Sequence, residues 1–233
     1  MSAKFTSTTT GREKWTGGHF LPRHRHEQGY ACLVLSGSYE EAGDRGRRVV
    51  RAGDVNFCGP FDAHLDRFAA AGAELINFNL TGWADRPGAF FRARDPDLIV
   101  RTAERDPDEA RELLLSMIDP VCVADKDWPD TLARDIRRCP DISLSDWAET
   151  RNLAPATLSR GFRRVYGLAP SAFRAQTRAR RAWCSLMNTD LSLTAVSFEN
   201  GFADQAHMTR ALGQITGRTP SQWRRQWSNR FKT

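Results

Sequence analysis

The chain has 233 residues, of which 40% are hydrophobic and 27% charged, and its formal net charge is +6. This length and apolar content suffice for one large or two ordinary domains. No apolar run approaches the roughly 20 residues that span a bilayer, and the polar first ten residues lack the apolar core of a signal peptide. Both features argue against a membrane or secreted protein.

The charge is unevenly distributed along the chain. Residues 143–233 contain 14 Lys and Arg against 5 Asp and Glu, a net charge of about +9. The preceding residues are slightly acidic. A basic second half behind an acidic first half is typical of a DNA-binding region joined to a separate sensing domain. The five cysteines form no CxxC pair, which favours reduced thiols in a cytoplasm.

Residues 15–81 are predicted to be β-structure. Short apolar runs separated by Gly- and Pro-containing turns predict strands at 30–35, 47–51, 55–58, 64–68 and 74–80. Gly37 is expected to bend the chain, and residues 69–72 are expected to separate the last two strands. Several short strands at close spacing indicate a small barrel or jelly roll.

Three histidines in this stretch are candidate binding residues. His24 and His26 are two residues apart on a predicted strand, so both imidazoles should point into the barrel. His64 is expected to approach from the facing strand. The stretch resembles the two cupin motifs through His24-Arg25-His26, Gly37, Gly53-Asp54, Pro60 and His64. The glutamate that normally follows the second histidine of those motifs is missing.

The histidines allow three interpretations. Three neutral imidazoles could bind Zn, Ni or Fe(II) and leave a fourth position open, although the missing carboxylate counts against a divalent metal. They could instead be hydrogen-bonded residues of the barrel. The interpretation that we favour is that they line a pocket for a small-molecule effector.

Residues 101–142 are predicted to be a helical linker. Asp106 and Pro107 begin one helix, with acidic residues in its first turn, and a second helix is expected over 129–138. The first helix continues into an apolar stripe of Leu113, Leu114, Met117, Ile118 and Val121. The stripe either packs on the barrel or forms the contact of a homodimer. Four aromatic residues are expected to cover the exposed edge of the barrel: Trp83, Phe90, Phe91 and Trp128.

The last ninety residues contain a pattern that occurs twice. The first copy runs from Leu158-Ser159-Arg160-Gly161-Phe162 to Phe173-Arg174. The second runs from Met208-Thr209-Arg210-Ala211-Leu212 to Trp223-Arg224, and each position lies 50 residues after its counterpart. A fixed period of this length marks a duplicated supersecondary unit.

Each copy predicts an amphipathic helix, because its apolar residues recur at i, i+4 and i+7. These are Leu158, Phe162 and Val165 in the first copy and Met208, Leu212 and Ile215 in the second. A shorter amphipathic helix precedes each one and ends in a tight turn at Asn152 or Gly201, residue types that tolerate positive φ. Short helix, turn and second helix is the helix-turn-helix plan, here in tandem.

The exposed face of each second helix carries small, amide and basic side chains, which suit base edges and phosphates. The candidate DNA-contacting residues are Ala156, Ser159, Arg160, Arg163 and Arg164 in the first copy and Gln205, Ala206, His207, Thr209, Arg210 and Arg218 in the second. Arg160 and Arg210 are predicted to contact guanine or a nearby phosphate, and Gln205 to contact adenine. Arg163, Arg164 and Arg218 are predicted to hold phosphates. Pro155 is expected at the start of the first of these helices, where Ala154 offers no capping oxygen, whereas Asp204 should cap the second.

Residues from about 143 to 226 resemble the DNA-binding domain of AraC/XylS-family transcriptional regulators. The resemblance rests on 158–164 (LSRGFRR), 178–182 (RARRA), 201–205 (GFADQ) and 217–220 (GRTP). It implies seven helices, with a long helix from about 170 to 186 holding the two motifs apart. It also implies that the second helix of each motif enters the major groove of double-stranded DNA, and it allows RNA polymerase as a further partner.

The sequence therefore predicts an α+β chain with a cupin-like β-barrel over 1–100, a helical linker over 101–142 and an all-α domain with two helix-turn-helix motifs over 143–233. The predicted function is effector-controlled, sequence-specific transcriptional regulation in a bacterial cytoplasm, associated with the nucleoid. Two recognition helices should enter successive major grooves, about 34 Å apart. The alternative is a metal-dependent cupin enzyme fused to a DNA-binding domain.

Overall fold

The computed structural model describes residues 10–80 and 90–230, with side chains as far as residue 226. The chain divides between Lys126 and Asp127 into two compact units. The residues predicted to form a linker are shared between these units. None of the helices in the described ranges is long and apolar enough to cross a membrane. Trp83, predicted to cover the barrel edge, lies outside the described residues.

The described residues of the first unit form one antiparallel sheet of eight strands. The strands are β1 (Gly11–Trp15), β2 (Phe20–Arg25), β3 (Gly29–Gly43), β4 (Gly46–Arg51), β5 (Asp54–Cys58), β6 (Ala63–Leu80), β7 (Phe90–Ala93) and β8 (Ile118–Pro120). Their order is β1-β6-β3-β5-β7-β8, with β2 paired to β6 and β4 paired to β3. This all-antiparallel sheet confirms the β part of the predicted α+β fold.

The two longest strands, β3 and β6, were expected to be interrupted and are continuous. Gly37 and Gly72 have φ of +71° and +72°, which only glycine adopts readily. A Cβ on Gly37 would lie 2.0 Å from the carbonyl oxygen of Gly72. The register of β3 against β6 shifts beside Gly37, so the strands accommodate local irregularities without losing their pairing. The predicted break at 69–72 is therefore wrong.

Both faces of the sheet are buried. On one face, Tyr30, Val34, Phe68 and Leu75 belong to a cluster of apolar residues. On the other face, residues such as Phe57, Ile76 and Phe91 pack with residues of two helices, α1 (Pro96–Ala103) and α2 (Pro107–Ser116). The alternation of neighbouring side chains along β6 between the two faces follows from the two-residue period of a strand.

The apolar stripe of the middle region packs on this second face. Leu114 is fully buried in the cluster beneath α2, and Leu113 and Ile118 pack against it. The helix starts as predicted, with the Asp106 carboxylate accepting hydrogen bonds from the backbone of residues 108 and 109. It ends at Ser116, so Ile118 belongs to β8 and not to the helix. Packing within the unit thus accounts for the centre of the stripe, and dimerisation stays a prediction.

The second unit is helical in the part of it that the structure describes. Its helices are α3 (Trp128–Arg138), α4 (Leu144–Glu149), α5 (Pro155–Tyr166), α6 (Pro170–Asn188), α7 (Leu193–Glu199), α8 (Gln205–Thr216) and α9 (Pro220–Arg230). The long α6 packs against α3, α5, α7, α8 and α9. The two predicted corners are confirmed, since Asn152 and Gly201 have φ of 53° and 69°.

The expected seven helices are reached only by counting α3, which precedes the predicted start of the domain. The buried Asp130 of α3 accepts a hydrogen bond of 2.8 Å from the Tyr166 hydroxyl of α5. Asp135 accepts one of 2.9 Å from the Trp147 indole of α4. Trp128 also belongs here, since its ring packs beside Gly161 and Trp147. Its predicted place on the barrel edge is wrong, because α3 is part of the helical unit.

The duplication extends to an arginine that closes each copy. Arg174 donates a hydrogen bond of 2.8 Å to the carbonyl oxygen of Ile142. Its counterpart Arg224 donates one of 2.6 Å to the carbonyl oxygen of Leu191. Each acceptor immediately precedes the serine that caps the first helix of its motif. In each copy, a guanidinium group therefore holds the backbone just before the first helix of the motif through a charge-assisted hydrogen bond.

The two recognition helices differ at their first turns, as predicted. Asp204 accepts a hydrogen bond of 2.6 Å from the backbone of His207, whereas Ala154 makes no side-chain cap. We expect Asp204→Ala to lower the free energy of unfolding by about 1 kcal/mol, and Ala154→Ser to raise it by about 0.5–1 kcal/mol. Urea unfolding of the two variants and the wild type measures both changes. Changes of the same sign and size in the free energy of unfolding of both variants would contradict the difference in capping between α5 and α8.

Candidate functional site

The apolar faces of the two candidate recognition helices are buried as predicted. In α5, Leu158, Phe162, Val165 and Tyr166 are buried. In α8, the buried residues are Met208, Leu212, Ile215 and Thr216. Each helix has twelve residues and ends at a left-handed glycine, at position 167 or 217. The two copies therefore present corresponding outer faces.

Most of the predicted DNA-contacting side chains are accessible to a ligand. The exposed residues are Ala156, Arg160, Arg163 and Arg164 in the first copy and Gln205, Ala206, Arg210 and Arg218 in the second. The half-buried ones are Ser159, His207 and Thr209. Arg160 and Arg210 occupy equivalent positions on the two helices and are both exposed. Their predicted contacts with bases and phosphates stay predictions.

Some of these side chains already have partners within the unit. The Thr209 hydroxyl donates a hydrogen bond of 2.8 Å to the backbone of Gln205. The Arg218 guanidinium lies 4.9 Å from the centre of the Trp223 ring and donates to Gln226 at 3.0 Å. Arg218 is therefore held against α9, which pre-positions its charge at the end of α8.

The three histidines of the first unit converge, although not in the way expected. His24 of β2 stands directly opposite His64 of β6 in the register of the sheet. His64 therefore lies on the neighbouring strand and not on a facing one. Its ring centre is 4.4 Å from that of His24 and 5.3 Å from that of His26. One nitrogen atom from each of the three rings lies within 4.8 Å of the other two, close enough to share a metal ion.

Two buried carboxyl groups near these histidines were missed by the sequence reasoning. Asp66 Oδ2 lies 3.5 Å from His64 Nε2. Glu41 is buried on β3 and accepts a hydrogen bond from Asn56. Glu41 lies far from the histidines in sequence, and only the pairing of β3 with β6 brings it near them. No local motif could have indicated it.

The histidines and these carboxyl groups line a cavity of about 560 Å³ between β1, β2, β3 and β6. Its wall is mostly aromatic and aliphatic, with Trp15, Leu21, Phe68 and Leu75 among the lining residues. A cavity of this size with a few convergent polar groups is typical of a small-molecule site.

Burial disfavours the charged forms of four polar groups that line this cavity. It lowers the pKa of His24, and it lowers the pKa of His64 further, with repulsion from the other two histidines adding to the effect. Burial also raises the pKa of Asp66 to about 8, and burial together with the nearby Asp66 raises the pKa of Glu41. In their neutral forms, the imidazoles can accept hydrogen bonds or bind a metal, and the carboxyl groups can donate hydrogen bonds.

Comparison with known proteins identifies the helical region. Residues 147–226 match the family described as "Helix-turn-helix domain". The chain is 32% identical over 81 residues to the HTH-type transcriptional regulator ExsA of Pseudomonas aeruginosa, covering 35% of this chain and 29% of that protein. It is also 32% identical over 81 residues to the virulence regulon transcriptional activator VirF of Yersinia enterocolitica, covering 35% of this chain and 30% of VirF. The match thus spans less than a third of either relative.

Among solved structures, ToxT from Vibrio cholerae aligns with 94% of this chain and 98% of its own, with a TM-score of 0.43 and 6% identity. The sequence matches coincide with helices α4 to α9. They confirm that this part of the chain is a helix-turn-helix domain of the predicted kind.

Proposed function

We propose that this chain is a DNA-binding transcriptional regulator controlled by a small effector. The proposal rests on the AraC/XylS-type helix-turn-helix domain that residues 147–226 form. Double-stranded DNA is its macromolecular partner, and the cytoplasm of a bacterium, at the nucleoid, is its location. Regulation of this kind requires no catalysis, so we assign no enzymatic activity to the cupin-like unit. The proposal includes RNA polymerase as a further partner and a homodimer, and both rest on the family resemblance.

The observation that carries the proposal is the duplication of the exposed surface. Arg160 and Arg210 are exposed at equivalent positions of α5 and α8, on helices whose opposite faces are buried. An arginine on a recognition helix can donate two hydrogen bonds to O6 and N7 of guanine. Two such helices on one chain favour an asymmetric site whose halves lie about one turn of DNA apart.

The cavity of the first unit supports the effector part of the proposal. Its volume and apolar wall suit a small organic molecule, and its histidines and carboxyl groups would orient that molecule by hydrogen bonds. We expect effectors to raise the melting temperature of the wild-type chain but not of Leu75→Trp, whose larger side chain would occupy the cavity. Equal stabilisation of both proteins by a compound would place its site elsewhere.

Selection of random duplex DNA by the purified full chain tests the DNA-binding part. We expect a defined motif in two half-sites about one helical turn apart. The double variant Arg160→Ala/Arg210→Ala should lose this motif. The double variant Arg101→Ala/Arg105→Ala, an equal loss of charge at two exposed sites of the first unit, should keep it. Binding without sequence preference and with a steep dependence on salt would contradict the proposal.

A further inference from the structure

A second group of side chains that could hold a metal ion overlaps the three histidines at His64. Glu41 of β3, Cys58 at the end of β5 and His64 of β6 each offer one ligand atom, and these atoms lie within 4.8 Å of one another. All three side chains are buried, with 3% of each residue exposed. The pairing of β3 with both β5 and β6 brings them together.

We propose that Glu41, Cys58 and His64 bind a divalent metal ion, with Zn²⁺ preferred. A thiolate, an imidazole and a carboxylate are the three ligand types that zinc takes in proteins. The Cys58 sulfur lies 3.4 Å from His64 Nδ1. Zinc bonds of about 2.3 Å to sulfur and about 2.0–2.1 Å to nitrogen, at a tetrahedral angle, place these two atoms roughly 3.5 Å apart. The pair is therefore already spaced for one ion.

Asn56 provides an outer contact to two of the ligands. It is fully buried, its side-chain nitrogen donates to Glu41, and the same nitrogen lies 3.9 Å from the Cys58 sulfur. Its Oδ1 has no hydrogen-bond partner within the described part of the chain. A donor that contacts both anionic ligands is the kind of outer-shell group that orients a metal site.

A divalent ion at this position would be balanced by the charges of its own ligands. On binding, the Cys58 thiol and the Glu41 carboxyl each release a proton to solvent, and no electron is transferred. The thiolate and the carboxylate then offset the two charges of the ion. A buried site without net charge avoids the large cost of placing an uncompensated ion in a protein interior.

The ion has a route to this site and room for a fourth ligand. Glu41 and His64 both line the cavity of the first unit. Three protein ligands with the fourth position left to water or to a bound molecule is the usual arrangement of an open zinc site. The ion could then also contact an effector bound in the cavity, although the proposal does not depend on an effector.

The three-histidine cluster is the competing site, and it shares His64. The two sites differ in one measurable respect, since only the site proposed here contains a sulfur ligand. Co²⁺ replaces Zn²⁺ in such sites and shows a thiolate-to-metal charge-transfer band in the near ultraviolet when a cysteine is bound. The test is titration of the full chain, freed of metal by a chelator, with Co²⁺ and then with Zn²⁺.

We expect the band to appear with Co²⁺ and to be displaced by Zn²⁺. Cys58→Ala should abolish the band. Cys32→Ala is the matched control, because it removes the other buried cysteine of the unit. The band should remain in Cys32→Ala and in His24→Ala. Asn56→Ala should weaken Zn²⁺ binding by roughly 10- to 100-fold, as loss of an outer-shell partner does. Glu41→Gln, which preserves shape, is a second ligand variant should Cys58→Ala fail to fold, and it should weaken Zn²⁺ binding more than Asn56→Ala.

Two outcomes would overturn the proposal. Metal binding without the charge-transfer band, or binding lost in His24→Ala and kept in Cys58→Ala, would assign the ion to the three histidines. Failure of the metal-free wild type to bind either Co²⁺ or Zn²⁺ would show that the cluster is a hydrogen-bonded part of the core. Neither outcome would affect the proposed DNA-binding function, which is tested on the second unit.

Discussion

Arg160→Ala is expected to relax base discrimination at a few adjacent positions of the DNA site by about 1–3 kcal/mol, or roughly 5- to 150-fold. The reason is that an exposed arginine on α5 can satisfy two acceptors on guanine that no other base pair presents in the same arrangement. Binding constants for the selected site and for each single-base change, measured for wild type and variant at one salt concentration, give the change in discrimination.

Arg163→Ala is the matched control, because it removes the same charge from the same helix at an exposed position. It should weaken binding to every sequence by a similar factor and lower the salt dependence by about one counterion. A uniform loss of affinity in Arg160→Ala as well would assign both arginines to phosphates. Sequence discrimination would then have to come from other residues of α5 and α8.

The recognition helices could be predicted from the sequence because their signals are local. The spacing of Leu158, Phe162 and Val165 and the proline at position 155 lie within one stretch, and both reflect the geometry of a single helix. The repeat at 50 residues then shows that the same unit occurs twice. Helix caps and the turns between helices are also local signals, and for this reason Asp204, Asn152 and Gly201 were correctly placed.

The candidate metal site could not be predicted because it depends on strand register. His24 and His26 were found from their two-residue spacing, yet the strand that carries His64 was misplaced. Glu41 and Cys58 were missed entirely, since they reach His64 only through the pairing of β3 with β5 and β6. A shift of register by one residue would turn each side chain to the other face of the sheet.

The start of the helical unit also could not be predicted from local sequence signals. The helix that became α3 was predicted at almost its observed length, but as part of a linker. Its place in the second unit follows from contacts with partners that are distant in sequence, such as Asp130 with Tyr166 and Asp135 with Trp147. Periodicity shows that a helix has an apolar face and does not show which neighbour covers that face.

Gly161→Ala is expected to destabilise the chain, although alanine is the better helix former. A Cβ at position 161 would lie 2.4 Å from the ring of Trp128, and overpacking of this kind costs about 1–3 kcal/mol. The gain in helix propensity, about 0.5–1 kcal/mol, offsets only part of it. Urea unfolding followed by circular dichroism measures the net loss.

Gly213→Ala provides the matched control, because that glycine lies in α8 and a Cβ there would meet nothing within 4 Å. It should stabilise the chain by about 0.5–1 kcal/mol, so the two substitutions should have opposite signs. The second copy carries Ala211 at the position equivalent to Gly161, which shows that the motif itself tolerates a methyl group.

If Trp128 is the cause, replacing it by leucine should remove most of the cost of Gly161→Ala in a double-mutant cycle. An unchanged cost in that background would mean that the contact with Trp128 is not the reason why position 161 requires glycine.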